Sequence, residues 1–362
     1  MAQGVVGSNP IIHPNYMAQE KSFKKSTVLL IGIIFVILFL VLLRFSHVSE
    51  IIRLIKNFRF DFIFLVLALQ IVKYFFAAGI LSEILGFYRI KEKIFWLYRK
   101  VFLVNFLNAI VPSLGLGGIY YLAQSFKERN LSLGRGLSLA AIYFIIIWLG
   151  IFLVLPISLV YGIVMGFSIG HEALRWLILP LILFFLLIGL IIYFTKNQPL
   201  SHLIINRLAG LINRFFHPFI KRNLISIGKV DFMLDEYFLG IKNIRKIKKN
   251  IFELAFYTLL YTFSDVLSLY VIFAALGSTV PVLIVAAGFA LGNIISLILP
   301  LPSTVGTYEL SVIVVYVWLG VGYESALLAT FVFRAFSFWL LLPISFYLLS
   351  RSERFKNSEN RS

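Results

Sequence analysis

Long apolar runs alternate with short polar connections along the whole chain. The runs cover approximately residues 27–43, 61–81, 94–123, 137–165, 176–195, 252–276, 281–299, 305–320 and 325–349. Several are long enough to cross about 30 Å of hydrocarbon at about 1.5 Å of rise per residue. None shows the strict in–out alternation of a membrane barrel. The pattern predicts an all-α, polytopic integral membrane protein with about eight to ten membrane segments.

Two of these runs are broken by proline and glycine. One break reads Ala109-Ile110-Val111-Pro112-Ser113-Leu114-Gly115-Leu116-Gly117-Gly118-Ile119-Tyr120. The other reads Leu299-Pro300-Leu301-Pro302-Ser303-Thr304-Val305-Gly306-Thr307-Tyr308-Glu309. Both contain Pro-Ser, a short gap, Gly and then Tyr. In hydrocarbon every backbone N–H and C=O needs a partner, so broken helices persist only inside protein or along a polar cavity. One break in each half points to a site near the membrane midplane.

Charge sets the sidedness. Residues 196–251 carry 11 basic and 3 acidic side chains, which makes them cytoplasmic by the positive-inside rule. Parity then places residues 124–136 and the C-terminus on the same side. The two proline-broken segments become re-entrant hairpins of opposite orientation, the signature of an inverted repeat. The first run follows Lys21, Lys24 and Lys25 and lacks a small-residue cleavage site after it, so it reads as a retained first span behind a cytoplasmic tail, 1–26. The expected location is a prokaryotic plasma membrane, with both termini cytoplasmic. The net charge of +17 lies in the connections, and no basic soluble domain is present to bind nucleic acid.

Within 196–251, Leu203, Ile204, Leu208, Leu211, Ile212 and Phe215 recur at helical spacing. Val230, Leu234, Tyr237, Ile241, Ile244 and Ile247 do the same. Both stretches predict amphipathic helices on the inner leaflet. Lys242, Arg245, Lys246, Lys248 and Lys249 would favour anionic headgroups, or serve only as a topology anchor.

Four ionisable residues fall inside the predicted spans: Lys73, Asp265, Glu309 and Arg334. Each costs a few kcal/mol or more at mid-bilayer unless paired or hydrated. Glu309 suits the positive end of a half-helix starting near residue 308. Arg334 suits a phosphate or a pairing with Glu309. Asp265 and Lys73 form either a structural pair or a coupling site for a proton or cation. Asn105, Asn108 and Asn293 flank the breaks and suit either freed backbone groups or a polar headgroup. The backbone at Gly117 and Gly118 is free enough to form an anion nest. The chain has no Cys, its five His residues have no metal-ligand spacing, and no nucleophile elbow appears. No cofactor, metal site or enzymatic activity is expected.

The stretch from Asn105 to Arg135 holds Asn-Phe-Leu-Asn-Ala-Ile-Val-Pro-Ser, then Gly-Leu-Gly-Gly, then Lys127, Arg129 and Ser132. The stretch Leu299–Glu309 is followed by Gly320-Val321, Ala326 and Arg334. Together they resemble the lysylphosphatidylglycerol synthase transmembrane-region family, also called flippase-like domain proteins. The resemblance covers roughly residues 28–350. It implies one membrane domain over 27–350, with a C-terminal tail over 351–362, and the lipid-translocating half of such synthases without their soluble transferase domain. It also implies that Glu309 and Arg334 receive the headgroup, to which the two breaks themselves add Pro112, Gly117, Gly118, Pro302, Gly306, Asn108 and Asn293 as candidates. This chain departs from the family pattern in two respects: the paired glycines expected near Gly306 are reduced by Ser303-Thr304-Val305, and two charges after the first proline are missing. Many members carry Gly-Glu and then Arg after the first proline, where Gly117-Gly118-Ile119-Tyr120 stands here.

The expected function is therefore transbilayer movement of an anionic, aminoacylated or sugar-linked phospholipid or polyprenyl precursor. The alternative is a non-transporting membrane partner that presents lipid to a separate transferase. The sidedness has a direct check, because the cysteine-free chain gives no labelling background. A Lys127→Cys variant in intact cells should resist an impermeant maleimide and react after permeabilisation. Labelling from outside would overturn the sidedness.

Overall fold

A computed structural model describes residues 47–110, 116–164, 192–220, 226–244, 251–298 and 304–345, with a few isolated positions between 182 and 190 and at 347. The predicted span 27–43, most of 176–195, both tails, Pro112, Pro302 and the basic residues Arg245, Lys246, Lys248 and Lys249 lie outside the described residues. The described residues are helical and contain no strand.

The helices are α1 (Val48–Lys56), α2 (Phe62–Gly86), α3 (Ile94–Ile110), α4 (Leu116–Ser125), α5 (Leu133–Val164), α6 (Gln198–Ile220), α7 (Ile227–Ile244), α8 (Ile251–Ala275), α9 (Val282–Ile298), α10 (Thr304–Trp318) and α11 (Tyr323–Arg334). A π turn, Ala335–Trp339, continues α11. Among the described residues, Phe62–Gly86, Leu133–Ser158, Ile251–Ala275 and Tyr323–Ser345 are long and apolar enough to cross a bilayer. At 17 and 15 residues, α9 and α10 fall short of the roughly 20 that a span needs.

The α2–α8 pair is the most extensive packing in the molecule. The Arg59 N–H donates to the Ala275 carbonyl, Gln70 reaches Ser268, and Gly79 lies against the Tyr257 ring. Positions rising along α2 thus meet positions falling along α8, so the two helices run antiparallel. Each opens a similar series: α2 leads to the α3–α4 hairpin and α5, and α8 leads to the α9–α10 hairpin and α11. Antiparallel leading helices are what two units of opposite orientation require.

Two hydrophobic cores form, one centred on each unit. The first gathers Ile80, Leu81, Leu97, Val101, Leu122 and Leu139 from α2 to α5. The second gathers Phe273, Ile294, Val312, Tyr316 and Leu327 from α8 to α11. They share helices: the second also takes Val66 from α2 and Ile151, Phe152 and Leu155 from α5, and the first takes Tyr261 from α8. Outward positions carry Phe64, Phe252, Phe256 and Val314, all exposed. Large apolar side chains outside and charged side chains inside invert the soluble pattern, as a hydrocarbon solvent demands.

The amphipathic segment forms as predicted in type. α7 packs on α5 through Gly134 and Gly240, and Glu236 holds Arg135 and Ser132. α6 packs on α7, where His202 and Asn206 hydrogen-bond to Asp231 at 2.8 and 2.7 Å. Those bonds, the His202 one foremost, hold the Asp231 carboxyl below the usual aspartate range.

Two features differ from the sequence reading. The 44–60 stretch read as a plain connection, yet α1 forms there and buries Ile51 and Leu54 in the second core. The close α9–α10 approach also went unread. Gly288 faces the Tyr316 ring, and a Cβ on Gly292 would lie 2.9 Å from the Val312 Cα. This is a Gly-x-x-x-Gly face that lets backbones approach. A Gly292→Val variant should lower stability by about 1–3 kcal/mol, because the branched Val312 side chain and its backbone both stand where the new side chain would go. Gly210→Ala, with open space around it, is the control. Thermal unfolding in detergent checks this, and equal midpoints for both variants would refute it.

Candidate functional site

Both buried ion pairs predicted from sequence are present. Lys73 Nζ lies 2.8 and 2.9 Å from the two carboxylate oxygens of Asp265. The Gln70 amide donates to Asp265 at 3.1 Å and to Ser268 at 3.0 Å. The Lys73 ammonium also sits 5.1 Å from the centre of the Tyr261 ring and 5.7 Å from that of Tyr74. One cation is thus satisfied from both helices of the α2–α8 pair. A charge removed from water persists only when it is paired and hydrogen-bonded in this way.

The second pair is built by the helix break. Gly306 has φ +91°, a conformation that strains any residue with a Cβ. The sequence reading placed the half-helix start near residue 308; the helix opens at Thr304, but this left-handed residue interrupts it. Glu309 turns back, and its Oε2 accepts the Gly306 N–H at 2.7 Å. This is the reciprocal half of a capping box, and the carboxylate also faces the positive end of the helix dipole. The other oxygen, Oε1, accepts from Arg334 Nε at 2.7 Å. Glu309 has no exposed surface.

Arg334 sits where α11 gives way to the π turn, closed by the Leu340 N–H donating to the Ala335 carbonyl at 2.9 Å. Such turns recur at functional sites. The guanidinium is packed between Phe338 at 4.1 Å and Tyr308 at 4.7 Å. Glu309 takes only Nε, and Arg334 Nη2 has no hydrogen-bond partner among the described residues.

A cavity of about 310 Å³ lies between the two units. Lys73 and Asp265 line one side, and Arg334, Tyr308 and Ser337 another. Asn105 and Asn108 reach it from α3, and Asn293 and Ser296 from α9. The two hairpins contribute alike. Asn105 stands seven residues before Pro112, and Asn293 seven before Pro300. Each donates its amide to the carbonyl four residues back, on Val101 at 3.1 Å and Phe289 at 2.7 Å. Asn108 instead accepts the Gly118 N–H at 2.8 Å, tying α3 to the first turn of α4. A Cβ on Gly118 would collide with that amide, so a larger residue there would push Asn108 off this bond.

The structure therefore brings Lys73, Asp265, Arg334, Asn108 and Asn293 onto one cavity, with Glu309 directly behind Arg334. Gly118 and Gly306 support the two breaks, and Gly117 opens α4 beside Gly118. Lys242 is exposed near the end of α7, away from the cavity lining. Sequence reasoning missed Tyr308 and Phe338 as ring partners of Arg334. Their signals were adjacency to Glu309 and an i,i+4 spacing from Arg334. No group of three or more metal-ligating side chains occurs among the described residues.

An apolar exterior, ion-paired charges inside and a polar cavity between two helical units define a multi-pass helical membrane protein. Residues 28–345 match the family described as Lysylphosphatidylglycerol synthase TM region, and the chain belongs to that family. It is also similar to a UPF0104 membrane protein from Methanothermobacter thermautotrophicus, with 26% identity over 194 residues, 52% of this chain and 55% of that one. The match thus spans about half the length of that relative.

The pairing of Glu309 with Arg334 carries an energetic expectation. Arg334→Met alone should destabilise by about 3–5 kcal/mol, because it strands a buried carboxylate. Adding Glu309→Leu should restore most of that loss. Unfolding midpoints of the single and double variants check this; a double variant as unstable as the single one would overturn it.

Proposed function

We propose that the protein receives the phosphate-bearing headgroup of a membrane lipid in the central cavity and passes it between leaflets. The observation that carries this reading is the state of Arg334. It is buried at the cavity wall and oriented through Nε by Glu309, and its Nη2 has no partner among the described residues. A guanidinium held along one edge suits a phosphate along the other. Glu309 is then a positioning residue: it fixes the guanidinium plane and need not leave when the phosphate arrives.

The antiparallel α2–α8 pair supports the movement. In units of opposite orientation, rocking one against the other opens a central site to each side in turn. The acyl chains stay in the bilayer, so only the polar part needs shielding. The cavity of about 310 Å³ matches a headgroup rather than a whole lipid. Movement is passive or ion-coupled, with Lys73 and Asp265 the candidate coupling pair. A plasma-membrane location with cytoplasmic termini belongs to this proposal.

A second reading has its own observation. α6 exposes Leu208, Leu211 and Phe215, an apolar face beside Arg207 and Arg214. That face suits an inner-leaflet surface, as does Lys242 on α7, or a transferase to which the protein presents lipid.

Reconstituted vesicles with a fluorescent phospholipid and an impermeant quencher separate these. Wild type should speed exposure of inner-leaflet probe. Arg334→Lys, which keeps a cation beside Glu309, should slow it by about tenfold or more, each tenfold being about 1.4 kcal/mol, with little change in unfolding midpoint. Parallel loss of stability and movement would reduce the pair to packing. Inactive wild type with intact lipid binding would favour the presenting role.

A further inference from the structure

The cavity's charge balance bears on which headgroup it holds, granted the headgroup reading above. Four ionised side chains stand at or directly behind the wall among the described residues, and they cancel in two closed pairs. Lys73 is engaged by both oxygens of Asp265 and by the Tyr74 and Tyr261 rings. It has little left to offer a ligand. Arg334 is half engaged: Glu309 neutralises its charge, yet Nη2 is a buried donor with no partner among the described residues. The site thus supplies donor capacity for one phosphate but no net positive charge to balance it. A lone anion moved here from water would stay uncompensated in a medium of low dielectric, which costs heavily.

The rest of the wall is rich in neutral groups that suit a cation. Asn105 commits one of its two amide N–H groups to Val101, and its carbonyl oxygen is able to accept. Asn293 is turned the same way on Phe289. The aromatic residues Phe102, Tyr143 and Trp148 line the same cavity. Carbonyl oxygens and ring faces both attract an ammonium.

We infer that the cavity selects a headgroup carrying both a phosphate and an ammonium, with no net charge, over a net-anionic headgroup of similar size. The phosphate lies against Arg334. The ammonium lies toward Asn105 and Asn293, bringing its own countercharge into a neutral site.

Native mass spectrometry of the purified full chain tests this, using chain-matched phosphatidylethanolamine and phosphatidylglycerol offered together in equal amounts. Wild type should retain the ethanolamine lipid by roughly tenfold over the glycerol lipid. Asn105→Ala with Asn293→Ala should erase that preference. Arg334→Lys should weaken retention of both. Equal retention, or preference for the glycerol lipid, with both still dependent on Arg334, would overturn the selectivity and leave the headgroup reading standing. Retention of both lipids unchanged by the Arg334 substitution would overturn the two together. The wild-type competition needs no variant, so a poorly folding mutant cannot decide it.

Discussion

A peptide group in hydrocarbon must find its partner within the protein, and the fold follows from how this chain meets that demand where its helices break. At the second break Gly306 turns left-handed, and its N–H leaves the helical ladder. Glu309 takes that N–H, which places a carboxylate deep in the protein. The carboxylate in turn needs a cation, and Arg334 supplies it from α11. Arg334 then needs flat, apolar cover, which Tyr308 and Phe338 provide. At the first break the same demand is met by a neutral amide, Asn108 on Gly118. Each step satisfies a cost created by the one before it.

The α2–α8 contact has the same character on a larger scale. Two long apolar helices gain little from each other in lipid by apolar contact alone, since lipid tails are as apolar as they are. Their polar positions, Gln70, Lys73, Asp265 and Ser268, are what make the pairing specific. The cavity lies beside that polar seam, so the groups that hold the units together also wet the space between them.

Much of this was legible in the sequence, for a definite reason. A charge in an apolar run is so costly that its need for a partner can be read before the partner is known, and Lys73, Asp265, Glu309 and Arg334 all announced themselves that way. The spans were legible because they are apolar all round. α1 was not: nine residues with Glu50, Arg53 and Lys56 among them show too short an apolar stripe to stand out. The π turn after Arg334 was hidden because backbone register there depends on tertiary packing. The matching back-bonds of Asn105 and Asn293 needed coordinates, although their equal spacing from Pro112 and Pro300 was already in the sequence.

The two hairpins are alike in form but not in charge. Where the second carries Tyr308-Glu309 after its Pro-Ser, the first carries Gly118-Ile119, and the carboxylate–guanidinium pair has no counterpart there. A perfectly repeated pair of units would hold a traveller equally well in two mirrored poses. Under the proposed function, this one would have a deeper well on one side of its midplane. Such a bias cannot make a passive route one-way, because whatever is gained on entering from one face must be returned on leaving. What it sets is dwell: a headgroup in transit would rest beside the second break, and the slower of its two exits would limit turnover in either direction.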